Sequence, residues 1–245
     1  MVLIIACSPE TTENAQGIIR PFYIEDVTEL TAFGKRQAGG LGNILAQLKI
    51  TEIITASENT SVTASTILCS ICEDKTGKRP VHVLDERLHE INFKGLTGKT
   101  AEEIAEEWAK YALKYSPDNV SKYLYLKTHD IRYMHGVPRA GLVALGLESL
   151  TDLHDRLEPS VLSMKAKAVG HHIVSIGGPL VNAYLVEMIR HGTLGENIAL
   201  RRSEKGHFPQ GYCEATIVEV DSEYCVKNMR INVPYEHLGR LLRGK

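Results

Sequence analysis

The residues able to do chemistry lie in a few short strings. Cys7 and Ser8 close an apolar run, LIIA, that reads as the first strand of the chain. Ser8 becomes nucleophilic only beside a base that takes its proton, and no such base stands nearby in sequence. Cys7 would react as a thiolate, which needs neighbouring cations to lower its pKa. A cysteine-based phosphate cradle also needs an Arg six residues later, where Glu13 stands with the wrong sign. Ser57, Ser61 and Ser65 recur at helical spacing after a second strand. His89 and Glu90 follow a third strand. As neighbours in an extended segment, their side chains turn to different faces.

Elements of alternating type must position these strings. Residues 2–6 form a strand, and Thr31 caps a helix that runs to about residue 48. The segment 49–57 is a second strand, 62–72 a second helix and 81–85 a third strand. Thr100 and Glu103 make a capping box for a helix over 100–114, in which Ile104, Trp108 and Tyr111 repeat at helical spacing. A further helix covers 146–168, with Pro159 expected to break or kink it. A strand at 171–176, a helix at 180–191 and strands at 215–220 and 225–233 complete the chain. The alternation predicts an α/β fold, a three-layer α/β/α sandwich around a mostly parallel central sheet.

At 245 residues and 43% hydrophobic content, the chain can bury a substantial core. A net charge of -2 leaves no electrostatic footprint for nucleic acid or an anionic membrane. The apolar start lacks a basic n-region, and no run approaches the roughly 18 apolar residues of a membrane span. A cytoplasmic location is the expectation. Five cysteines, an odd number, suggest free thiols rather than a disulfide framework. Cys69 and Cys72 form a CxxC inside an apolar helical stretch and read as small core residues.

Residues 3–17, LIIACSPETTENAQG, resemble the signature segment of the histidine phosphatase superfamily (phosphoglycerate mutase-like). That pattern is a strand ending in Arg-His-Gly-Glu-Thr-x-x-Asn. Glu10, Thr11 and Asn14 stand in register, while Cys7, Ser8 and Pro9 fill the Arg, His and Gly positions. The segment from Leu30 through Thr31, Gly34, Gln37 and Ala38 matches a second family string. Leu88, Glu90 and Phe93 match a third, making Glu90 the counterpart of the proton donor. Ser61 occupies the second Arg position. Val174, Ser175, Ile176, Gly177 and Gly178 match the string that carries the second His, with Ile176 in its place.

The resemblance implies a single domain over 1–245 with a variable insertion at 116–142 above the pocket. Members often form dimers or tetramers, so self-association is an open expectation. It also implies a site with its chemistry removed. Each charge-assisted hydrogen bond contributes about 1.5–3 kcal/mol, so losing two Arg and two His removes on the order of 6–12 kcal/mol. Enzymatic rate enhancements span about 8–23 kcal/mol. Most of the catalytic power would be gone.

The expected protein is therefore a pseudophosphatase that binds a small molecule or a protein partner, with Ser8, Thr11, Asn14, Ser61 and Gly177 lining its pocket. One alternative is a divergent phosphohydrolase or phosphomutase recruiting His129, Arg132, His135 or Arg139 from the insertion. A second is different chemistry at Cys7 or Ser8 with Glu90. Neither a cofactor nor a metal is expected: His171 and His172 are adjacent in a strand and point to opposite faces. The string GLTGKT at 95–100 lacks the first glycine of a P-loop, where Phe93 stands. Arg190 and His191 spell part of the missing motif at a helix end, where a cation is favoured by the dipole.

Overall fold

The computed structural model describes residues 2–16, 29–90, 103, 148, 150–191, 214–223, 225–234 and 237–238. Its elements in chain order are β1 (Val2–Cys7), α1 (Thr12–Ala15), α2 (Ala32–Gln47), β2 (Glu52–Thr55), α3 (Asn59–Thr76) and β3 (Val81–Leu84). A 3₁₀ turn (Glu86–Leu88) follows β3. Then come α4 (Leu150–Ala168), β4 (His172–Gly177), α5 (Pro179–His191), β5 (Ala215–Val220) and β6 (Val226–Val233).

The six strands form one sheet in the order β3-β2-β4-β1-β5-β6. The pairs β2/β3, β2/β4 and β1/β4 are parallel, while β5 runs antiparallel to both β1 and β6. The sheet is thus mixed, with a parallel half that aligns the carboxyl ends of β1, β2 and β4. Ligand sites of open α/β sheets lie outside those ends.

Both faces of β1 are covered, which is why its sequence is continuously apolar instead of alternating. Leu3 and Ile5 face α4 and α5, packing with Leu153, Leu157, Leu185 and Ile189. Ile4 and Ala6 face α2 and α3, packing with Leu41, Leu45, Leu68 and Cys69. Fully buried Leu and Ile side chains contribute about 1.5–3 kcal/mol each, so the two cores together hold the strand ends in place.

Helix α3 begins three residues earlier and ends four later than the sequence pattern suggests, closing on Gly77 in the left-handed conformation. Helix α4 runs unbroken through Pro159, contrary to the expected break. Its buried Leu153, Leu157, Val161 and Met164 keep one stripe against the sheet on both sides of the proline, so packing outweighs the lost hydrogen bond. The expected helix at 100–114 and the insertion at 116–142 lie outside the described residues.

Candidate functional site

The carboxyl ends of β1, β2 and β4 bring together three residues expected to meet. The Ser8 N–H donates to the Gly177 carbonyl at 2.9 Å. Ser8 Oγ donates to the same carbonyl at 3.2 Å and lies 3.3 Å from Ser61 Oγ. Ser61, in the first turn of α3, is wholly buried. The described residues therefore put two hydroxyls that bond to each other at the carboxyl ends of these strands.

A carboxylate stands behind them. Ser61 Oγ donates to Glu58 Oε2 at 3.5 Å, and Glu58 Oε1 accepts the Glu90 N–H at 3.0 Å. The Glu58 side chain is only 7% exposed, and His89 Nδ1 lies 3.5 Å from its Oε1. On the other side of the ring, His89 Nε2 meets Glu86 Oε2, which also accepts the Ser57 hydroxyl at 2.8 Å. The imidazole is held between two carboxylates. Its bond to Glu58 raises its pKa, burial opposes this, and Glu86 reinforces it. Glu86 is correspondingly lowered, by His89 first and Ser57 second.

Glu90, the expected proton donor, has a different task in this structure. Its Oε1 accepts the Val181 N–H at 3.1 Å, at the start of α5, where backbone donors lack partners within the helix. A Cβ on Gly178 would stand 1.9 Å from Glu90 Oε2, so glycine at 178 permits the approach. One turn along, Asn182 donates to the carbonyls of Ala6 at 2.8 Å and Gly177 at 3.2 Å. It ties the ends of β1 and β4 to α5.

The residues that match the family strings bond to the scaffold around the site. Thr11 and Asn14 form a reciprocal capping box on α1: Thr11 Oγ1 accepts the Asn14 N–H at 3.2 Å and Asn14 Oδ1 accepts the Thr11 N–H at 3.3 Å. Thr11 is 2% exposed, so its side chain serves the turn, not an open pocket. Glu10 explains the second string. Thr31 Oγ1 donates to Glu10 Oε1 at 2.8 Å and accepts the Gly34 N–H at 2.9 Å. Gln37 Oε1 accepts the Glu10 N–H at 3.0 Å. A Cβ on Gly34 would lie 2.1 Å from the Glu10 carbonyl oxygen. Thr31, Gly34 and Gln37 thus form one face of α2 that seats the loop after β1.

Ile176 packs into the α2/α3 core at 1% exposure and does not line the site. Cys7 is likewise 1% exposed, which closes it to bulky electrophiles. Cys69 and Cys72 are buried core residues as expected. Burial raises both thiols, Cys72 to about 11. Sequence reasoning missed Glu58 and Asn182. Glu58 reads locally as an ordinary acid at a helix start, whereas an Asn within the apolar string LVNAYLVEMI was a signal that could have been followed. His129, Arg132, His135 and Arg139 lie outside the described residues. Among the described residues, no group of three or more His, Cys, Asp or Glu is placed to hold a metal ion. No described helix is long and apolar enough to cross a membrane.

Comparisons with known proteins agree with this architecture. Residues 3–124 match the family model of the histidine phosphatase superfamily (branch 1). A phosphoglycerate mutase from Bacillus anthracis str. Sterne superposes with a TM-score of 0.72 at 15% identity, covering 98% of this chain and 96% of that one. A putative alpha-ribazole-5'-P phosphatase from Escherichia coli gives 0.65 at 14% identity, covering 96% and 98%. A mycobacterial glucosyl-3-phosphoglycerate phosphatase gives 0.62 at 16%, covering 95% and 97%. No curated protein matches the sequence significantly. The first half of the chain thus matches the histidine phosphatase superfamily, and nearly the whole length shares the phosphoglycerate mutase-like fold.

Proposed function

We propose that this protein has lost phosphoryl transfer and uses the inherited site to bind an uncharged or cationic group, carried by a small molecule or a protein partner. The observation behind this reading is the Ser8–Ser61–Glu58 chain of hydrogen bonds at the positions where the superfamily holds phosphate. The Ser8 hydroxyl, backed by buried Ser61, can bind a polyol or an amine, but it supplies no charge. The Glu58 carboxylate adds charge of the wrong sign. A phosphate dianion about 5 Å from it would meet a repulsion of about 6–7 kcal/mol at an effective dielectric near 20. That exceeds the roughly 1.5–3 kcal/mol of any single charge-assisted bond the ligand could make. A thermal-shift panel tests the reading. Polyols or amines are expected to raise the melting temperature, and phosphate and sulfate to leave it unchanged.

A second reading is a divergent phosphohydrolase, favoured by the phosphatases and the mutase that share the fold. It needs cations from elsewhere, and His129, Arg132, His135 and Arg139 are the candidates. Phosphatase activity lost on replacing one of those four with Ala would establish it. Four active single variants would remove it.

A further inference from the structure

Beside the Ser8 site, and sharing only Glu58 with it, stands a group that the phosphate chemistry does not use. Ser57 Oγ lies 3.3 Å from His89 Nε2, and the opposite ring nitrogen, Nδ1, lies 3.5 Å from Glu58 Oε1. A hydroxyl, an imidazole and a carboxylate are thus in sequence, with the hydroxyl on one ring nitrogen and the carboxylate on the other. That is the ordering by which a base activates a serine and a third group fixes the base's tautomer. Such distances are commonly loose before substrate binds.

The three residues come from two elements that β-sheet pairing holds side by side. Ser57 and Glu58 link the end of β2 to α3, and His89 follows the 3₁₀ turn after the neighbouring β3. Burial differs as the roles require. Glu58 is 7% exposed and His89 18%, while Ser57 is open to solvent. Ser57 also directly precedes Glu58, the N-cap of the 18-residue helix α3, whose side chain makes no capping hydrogen bond. The partial positive charge at that helix end favours a developing oxyanion.

A fourth residue blocks the arrangement. Glu86 Oε2 occupies His89 Nε2 and accepts the Ser57 hydroxyl. Its side chain is 65% exposed, so it can swing into water without disturbing the core. We propose that Ser57, His89 and Glu58 form a serine-nucleophile acyl-transfer site for small carboxylic esters, latched in this structure by Glu86. The neighbouring carboxylates, Glu58 and Glu86, select esters that are neutral or cationic.

In the reaction, the Ser57 hydroxyl proton passes to His89 Nε2 as the Oγ–carbon bond forms. The ester C–O bond then breaks, and the leaving alcohol takes the proton from Nε2. Water attacks the acyl carbon, gives its proton to Nε2, and releases the acid. The proton returns to Ser57 Oγ. Ser57 and His89 are the catalytic residues, and Glu58 is a positioning residue.

Fluorophosphonate labelling of the full chain, mapped by peptide mass spectrometry, tests the proposal. Ser57 is expected to be labelled, and Ser57→Ala to abolish the signal. His89→Gln is expected to slow it by about 10²–10⁴-fold. Glu86→Ala is expected to speed it, and labelling seen only in that variant equally supports the latch. Glu58→Gln is expected to move the acid limb of the labelling rate to lower pH, with Glu58→Asp restoring it. Absence of Ser57 labelling in both the wild type and Glu86→Ala overturns the proposal. So does a labelling rate indifferent to His89→Gln, which would mark Ser57 as merely exposed.

Discussion

The Glu90 carboxylate reaches the Val181 N–H at 3.1 Å by passing over Gly178, where a Cβ would stand 1.9 Å from Oε2. The acid that resembles a proton donor is thereby a cap for α5, and the glycine beside it is its clearance. Gly178→Ala is expected to push the carboxylate off the helix and lower stability by about 0.5–2 kcal/mol. Glu90→Ala loses the same cap. Because both act through one hydrogen bond, the double variant should be no less stable than the worse single variant. Urea unfolding of the three proteins measures this, and additive losses would show that the two residues act separately.

The seat of the β1 loop on α2 makes a sharper prediction from two glycines of one helix. Gly34→Ala drives a Cβ to 2.1 Å from the Glu10 carbonyl, a backbone atom that cannot swing aside. A loss of about 1–3 kcal/mol is expected. Gly39 has no atom within 4 Å of an added Cβ, so Gly39→Ala should stabilise by about 0.5–1 kcal/mol. Denaturation midpoints of the two variants should move in opposite directions.

These two residue pairs also mark how far the sequence could be read. The two-faced apolar run of β1, the Thr31 cap and the order of strands and helices are local patterns, and they are legible without coordinates. The meeting of Ser8, Ser61 and Gly177 could be anticipated through the family resemblance. The buried roles of Glu58 and Asn182 could not, because each is fixed by partners more than 30 residues away in the chain. Thr11 and Asn14 were expected to line the pocket, yet their capping bond spans only three residues. A family motif conceals such a local role, since scaffold and ligand contacts share the same letters.

His89 makes stability depend on pH. Its bond to Glu58 raises its pKa despite burial, with Glu86 adding to the effect. An unfolded imidazole titrates near 6.5, so the fold favours the protonated ring. The stabilisation is complete below about pH 6.5 and fades as pH rises through the higher folded value. Urea unfolding of the wild type and His89→Gln from about pH 6 to 9 should give a difference that shrinks with rising pH. A difference independent of pH would contradict the clamp. Asp85 has the opposite sign. Burial works against its charge, but hydrogen bonds from Arg87 and Ser160 outweigh it and lower the pKa. Its contribution is present above about pH 3.9 and is lost as pH falls through the folded value.

Cysteine accessibility separates the readings of the β1 end. Among the described cysteines, Cys7, Cys69 and Cys72 are buried and Cys225 is exposed. Maleimide should label Cys225 in the folded protein and reach Cys7, Cys69 and Cys72 only after unfolding. Rapid, saturable modification of Cys7 near neutral pH would instead support thiol chemistry at that position.

The central claim, that the inherited site no longer transfers phosphoryl groups, is tested most directly by phosphate release. Purified full-length protein would be assayed with an aryl phosphate and with phosphoglycerate from about pH 5 to 9. The Ser8–Ser61–Glu58 floor predicts no release above the enzyme-free background at any pH. Turnover at about 1 s⁻¹ or faster, the ordinary enzymatic range, would contradict it.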